Sequence, residues 1–254
     1  EIKSKVPLKT KKDFSIAYTP GVGAVSLAIA KNKKKSWELT NRANQVAIVS
    51  DGSAVLGLGD IGPEAAMPVM EGKAIIFKKF ADIDAIPLCI NAREAGKIVE
   101  FCKQIEPSFG GIVLEDITAP KCFDITARLE KELSIPVFHD DQDGSAIVVL
   151  AALINACRVE KRNIKKLKII INGAGAAIVG TGRSDLPNQI NNALVFPGLF
   201  RGLLGGRIKK LTNDMKVAVA EAIAYSVKPT RGKLLPKITD KKVAQAVAEA
   251  VKQK

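Results

Sequence analysis

What most restricts this chain is an alternation. Four apolar runs, "QVAIVS" at 45–50, "AIPLCI" at 85–90, "GGIVLEDI" at 110–117 and "IPVFHDD" at 135–141, alternate with stretches of helical spacing such as "AREAGKIVEFCKQIE" and "ITARLEKEL". Short apolar runs separated by helical patterns predict βαβ units, and hence an α/β layered fold around a largely parallel sheet. "AAMPVMEGKAIIFKKF" at 65–80 reads as a helix or turn leading into a further apolar strand. A long apolar helix is expected from about Ser145 to Cys157, and "LKIIIN" at 167–172 predicts a strand that opens a second α/β unit. Beyond Gly198 the pattern is helical, with Asn213 placed to cap "NDMKVAVAEAIAYSV" and a last helix in "KKVAQAVAEAVK".

Composition narrows the function. With 254 residues and 47% hydrophobic content, the chain can bury a sizeable core as one large domain or two small ones. Its most apolar stretch, 144–157, is shorter than the roughly 20 residues of a spanning helix, so no membrane segment is expected. The N-terminal residues lack the apolar core and cleavage site of a secretory signal, which favours the cytoplasm. Cys89, Cys102, Cys122 and Cys157 have no CxxC spacing and His139 is the only histidine, so the cysteines read as reduced and no zinc set is expected. A net charge of +13, with "KNKKK" at 31–35 and "KRNIKKLK" at 161–168, raises a distant alternative, a basic nucleic-acid-binding protein. The runs are mostly Lys and carry no interleaved aromatics, so a solvated basic surface explains them better and no specific nucleic acid is expected.

Chemistry gathers at the strand ends. Two of the apolar runs finish in adjacent acids, Glu115-Asp116 and Asp140-Asp141. Ligands of open α/β sheets sit at the carboxyl ends of strands, so the two pairs can converge on one site. Carboxylate oxygens suit a hard cation, Mg²⁺ or Mn²⁺. The alternative is that one acid of each pair caps the next helix while the other is solvated, and the residues alone leave the two readings level. "DGSAVLGLGDIG" at 51–62, with four glycines in twelve residues, predicts a tight loop after the first strand. Lys73, between a glycine and an apolar run, stands where burial would lower its pKa towards that of a base. Tyr18, in "IAYTPGVG", reads on its own as a packed aromatic.

Taken in order, "AYTPGVG", "VSDGSAVLGLGDIGPEAAMPVMEGKA", "FGGIVLEDITAPKCF", "IPVFHDDQDGSAIVVLAALINA", "INGAGAA" and "TGRSDLPNQINNALVFPGLFRG" resemble the malic enzyme family, especially its shorter bacterial and archaeal branch. The likeness runs from about residue 14 to 225. It implies an N-terminal substrate and metal domain over 1–163, a Rossmann-type NAD(P)-binding domain of which 164–225 is a remnant with its return segment, and a C-terminal helical segment over 226–254. The activity implied is oxidative decarboxylation of malate to pyruvate and CO2, with NAD or NADP reduced and Mg²⁺ or Mn²⁺ required. Carried over residue by residue, Glu115, Asp116 and Asp141 would hold the metal and Asp140 would support them. Lys73 would take the hydroxyl proton as hydride leaves C2, and Tyr18 would protonate C3 after CO2 departs. Asn191 and Asn192 would bind the substrate carboxylate, and Gly173, Gly175 and Ala176 would approach the cofactor phosphates. The family also implies a homo-oligomer, most simply a dimer.

Two departures stand out. The short branch usually reads HDDQHG where this chain has "HDDQDG", and Asp143 is expected to cap the helix that follows. The dinucleotide signature also breaks off: "GAGAAI" puts Ile178 where a small residue should sit, and no ribose-reading acid or base follows about 20 residues on. "TGRSD" belongs at the far end of the cofactor domain, so roughly 100 or more residues of that domain are missing between Ala177 and Val179. Three explanations stay open: an internal deletion, a decayed relative, or an intact polypeptide that carries residues here beyond the 254. A deletion would spare the metal and acid–base residues and leave a non-redox alternative, a metal-dependent oxaloacetate decarboxylase or an inactive malate or pyruvate binder.

Overall fold

The computed structural model describes Ser4, residues 6–170 and residues 178–254. It divides into two compact units, Glu1–Ala43 and Asn44–Lys254. The first holds α1 (Lys11–Ala17), α2 (Gly21–Lys31) and the short α3 (Ser36–Leu39). Thr10 starts α1 through a reciprocal capping box with Asp13. Neither α1 nor α2 buries a residue, and Phe14, Ile16, Tyr18 and Leu27 stand exposed.

In the second unit the four apolar runs form strands: β1 (Gln45–Ser50), β2 (Asp84–Cys89), β3 (Gly111–Leu114) and β4 (Val137–His139). They pair in parallel in the order β2-β1-β3-β4. Strands covered on both faces read as unbroken apolar runs, and Val46 to Val49 and Ile112 to Leu114 are fully buried. Pro87, which has no N–H to give a ladder, lies in the edge strand β2.

Between β1 and β2 lies α4 (Gly62–Ala81), followed in chain order by α5 (Ala95–Ile105), α6 (Lys121–Glu132) and α7 (Ser145–Glu160). The strand expected within 65–80 does not form, because α4 continues through it. Ala66, Met70, Lys73, Phe77 and Ala81 recur at helical spacing on the buried face, whereas Ile75 of the strand-like "AIIF" points to solvent. Residues 167–170 form no strand either: Ile169 and Ile170 are exposed, and the rest of "LKIIIN" lies outside the described residues.

Three helices complete the unit, α8 (Phe196–Gly205), α9 (Asn213–Tyr225) and α10 (Lys241–Lys252). The cap of α9 is Thr212 rather than Asn213: its hydroxyl accepts from the Met215 N–H, and Asn213 is already in the first turn. Phe196 and Phe200 of α8 pack on Phe77 of α4, with ring centroids 4.8 and 5.7 Å apart, and Phe200 meets Phe138 of β4 at 6.0 Å. These rings join α4 and α8 to the sheet, with Phe200 against Gly111 at the start of β3 and Phe196 beside Lys73. All four cysteines are free. Residues 11–31 and 140–160 are apolar and long enough to span a membrane by length and composition, a wider window than 144–157 suggested. The first is two helices broken between Ala17 and Gly21, and the second contains α7, whose Ile147, Val148, Ala151 and Ala152 lie in the core.

Candidate active site

The acids leave the sheet where their strands stop. Glu115 and Asp116 follow the last residue of β3, and Asp140 and Asp141 follow the last residue of β4, so neighbouring parallel strands deliver both pairs to one rim. Asp116 adopts the left-handed region, φ 53°, which acids tolerate better than most residues. That kink lets its N–H donate to Asp141 Oδ2 at 3.1 Å while its carbonyl accepts from Ala54 N–H at 3.0 Å. The glycine-rich loop after β1 is thereby tied to the same rim, where Ser53 Oγ donates to Asp51 and accepts from Thr118 N–H.

One carboxylate oxygen from each of Glu115, Asp116 and Asp141 lies within 4.8 Å of the others. Oxygens that share a cation at roughly 2.0 to 2.5 Å can be no more than about 5 Å apart, so the spacing suits a single hard ion. Charge argues the same way. Burial first, and then the neighbouring Asp141, hold the Asp116 carboxyl up at about 6. Glu115 is also raised well above the carboxylate range, by burial and by Asp140 and Asp141. Asp116 Oδ2 and Asp140 Oδ1 are buried without a hydrogen-bond partner. Four carboxylates face one ammonium, and a divalent cation bound by Glu115, Asp116 and Asp141 would relieve that imbalance.

The ammonium is Lys73. Its Nζ donates to Asp140 Oδ2 at 2.7 Å, makes an ion contact with Glu115 Oε2 at 2.8 Å outside hydrogen-bond geometry, and lies 4.2 Å from the centre of the Phe196 ring. Burial alone would lower its pKa, as the sequence suggested. Asp140 and Glu115 outweigh that effect, and the Lys73 pKa stands above its ordinary value. The expected lowering is therefore corrected for this arrangement of charges.

Asn192 enters from the C-terminal half. Its Nδ2 donates to the Asp140 carbonyl at 3.2 Å and to Asp140 Oδ2 at 3.1 Å. Asn191 behaves differently: its side-chain oxygen accepts from Ala193 N–H and caps the short turn Asn192–Leu194. Asp143 caps nothing among the described contacts. It lies in a π-helical turn, Asp140–Gly144, and its Oδ1 accepts from Lys216 Nζ at 2.6 Å. Tyr18 belongs to the Glu1–Ala43 unit, and Gly173, Gly175 and Ala176 lie outside the described residues.

Sequence reasoning passed over two residues. His139, the last residue of β4, is buried with both ring nitrogens unpartnered, its Nδ1 3.8 Å from Asp141 Oδ2, and burial lowers its pKa. Asn188, also left-handed at φ 57°, donates to the carbonyls of Val179 and Arg231 and accepts from Leu234 N–H. Only the crowding of polar residues in "SDLPNQINN" hinted at such a staple.

Comparison with known proteins agrees with this geometry. Residues 1–97 match the family model "Malic enzyme, N-terminal domain" and residues 181–254 match "Malic enzyme, NAD binding domain", leaving 98–180 between the two matches. The chain is 36% identical to an NAD-dependent malic enzyme of Geobacillus stearothermophilus, covering 99% of this chain and 75% of that protein. It is 47% identical to an NADP-dependent malic enzyme of Escherichia coli, over 86% of this chain and 43% of the other. The Geobacillus match runs over 359 positions, so at least 359 less 254 of them face no residue here. Among solved structures, a malic enzyme from Pyrococcus horikoshii superposes with a TM-score of 0.94 at 34% identity, covering 100% of this chain and 86% of that one. An NAD-dependent malic enzyme from Thermotoga maritima gives 0.93 at 36%, covering 99% and 96%. With its parallel sheet, its acids at the strand ends and likeness of this extent, the chain belongs to the malic enzyme family.

Proposed function

We propose that this chain oxidises malate and decarboxylates it to pyruvate and CO2, with NAD or NADP as hydride acceptor and Mg²⁺ or Mn²⁺ held by Glu115, Asp116 and Asp141. The observation that carries the proposal is the meeting of those three carboxylates within 4.8 Å of one another, beside the buried Lys73–Asp140 pair. When bound, the cation supplies positive charge against the acids and accepts electron density from the substrate's oxygens. Lys73 removes the proton from the C2 hydroxyl, a task that requires its neutral form, so the charge on Glu115 and Asp140 must be balanced elsewhere during turnover. Asp140 holds the amine in place and accepts the hydrogen bond of Asn192, whose amide N–H groups turn from Asp140 and Ser145 to reach the substrate carboxylate when it binds. Phe196 covers Nζ from one side and keeps water from it. Tyr18 is the proposed proton donor to C3.

The test is nicotinamide reduction by malate in the presence of Mn²⁺. Wild type should reduce NAD or NADP, and Lys73→Ala should lose about 10²- to 10⁴-fold of that rate, the range for a general base. Undiminished turnover in Lys73→Ala would remove the lysine from the mechanism. A second reading is favoured by a specific observation, the break in the dinucleotide signature after Ala177 together with the unmatched positions of the Geobacillus alignment. On that reading the chain decarboxylates oxaloacetate with the cation alone and transfers no hydride.

A further inference from the structure

Asp141 is the least enclosed of the proposed cation ligands, its side chain 47% exposed, and it sits in an unusual piece of backbone. A single π-helical turn inside otherwise regular structure is held only when its surroundings favour it. In the turn Asp140–Gly144 the first residue is gripped by Lys73 through its carboxylate and by Asn192 through both its carbonyl and its carboxylate. At the far end Gly144 leaves no room for a side chain, since a Cβ there would lie 2.8 Å from Asp140 Oδ1. Between these points two side chains tie the turn down: Asp141, whose Oδ2 accepts from the Asp116 N–H at 3.1 Å, and Asp143, whose Oδ1 meets Lys216 Nζ at 2.6 Å with side-chain exposures of 15% and 23%.

Lys216 stands in the second turn of α9, where its N–H donates to the carbonyl of the cap residue Thr212, and Met215 and Val219 beside it are buried. Its anchor point is therefore rigid. The ammonium also lies near Glu130 of α6, whose carboxyl burial raises and Lys216 lowers. Lys216 thus keeps the Asp143 carboxylate occupied on the side of α6 and α9. Released, that carboxylate would be an uncompensated third acid on the same short turn, repelling Asp140 and Asp141.

We infer that Lys216 is a positioning residue for the cation site: through Asp143 it fixes the turn that presents Asp140 and Asp141. The inference rests on reading Glu115, Asp116 and Asp141 as ligands of a divalent cation. Charge alone makes the opposite prediction, because deleting a lysine near a cation site should tighten cation binding. Positioning predicts that deletion weakens it.

The experiment is calorimetric titration of the full chain with Mn²⁺, in wild type, Lys216→Met, Lys216→Arg, Asp143→Asn and the Lys216→Met/Asp143→Asn double variant, with Asp141→Asn as reference. Lys216→Met should raise the Mn²⁺ dissociation constant about tenfold, the scale seen when a group that orients a ligand is lost. Lys216→Arg should stay close to wild type. The double variant should be no weaker than the weaker single, since two residues that act as one brace do not add. Unchanged or tighter Mn²⁺ binding in Lys216→Met, even with a lowered melting temperature, would overturn the inference while leaving the cation site intact. If Asp141→Asn itself binds Mn²⁺ as wild type does, the ligand set is wrong, and the brace falls with it.

Discussion

Asp116 shows how one residue's environment sets a testable pH dependence. Its carboxyl is held up at about 6, above the usual 3.8, chiefly by burial and then by Asp141. Between those two values the folded chain binds more protons than the unfolded one, so stability from this group is present at low pH and is lost as pH rises through about 6. A cation that binds the ionised carboxylate displaces the proton and reverses the penalty. The rise in melting temperature on adding Mn²⁺, relative to a chelator, should therefore grow from pH 5 to pH 7 and shrink in Asp116→Asn. A pH-independent gain would mean that Asp116 does not take part. At this scale the sequence was informative about residue types and silent about charge balance. Two acid pairs at strand ends are visible as letters, but that Lys73 meets two carboxylates, and so holds its proton, depends on a helix and two strands that lie far apart in the chain.

Among the elements, the strands were legible because each is a short apolar run bounded by turns or acids, and β1 matches its run residue for residue. The continuation of α4 through "AIIF" was not. Two adjacent isoleucines favour a strand locally, and only the spacing over 20 residues shows that a helix wins. Nor was the closeness of α8 to α10. The pattern beyond Gly198 reads as helical but does not show which neighbour its glycines face: a Cβ on Gly202 would come within 2.6 Å of Val251 Cβ and 2.7 Å of the Ala248 carbonyl. Backbone cannot step aside as a flexible side chain can. Gly202→Ala should therefore cost roughly 1–3 kcal/mol through overpacking, measured as a lower denaturation midpoint. Gly205→Ala, which meets only the end of Lys252 at 3.4 Å, should be close to neutral. Equal stability of the two variants would show that the α8–α10 contact is looser than drawn.

For the whole molecule, the open matter is how much of a redox enzyme 254 residues retain. The acids, Lys73 and Asn192 all lie in the Asn44–Lys254 unit and rest on β3, β4, α4 and the turn at 192–194, none of which includes residues 171–177. Decarboxylation of a β-keto acid needs a cation and an electron-withdrawing carbonyl, whereas hydride transfer needs a nicotinamide held against C2. The two halves of the reaction should therefore separate. Loss of oxaloacetate with Mn²⁺ and no nicotinamide should be catalysed by wild type and abolished in Asp141→Asn. Saturable quenching or enhancement of NADPH or NADH fluorescence by the same preparation then reports on the cofactor site alone. Saturable binding together with malate-dependent reduction supports the full oxidative reaction. Decarboxylation with no nicotinamide binding assigns the chain to the non-redox half, and failure of decarboxylation in wild type would remove the cation chemistry from both readings.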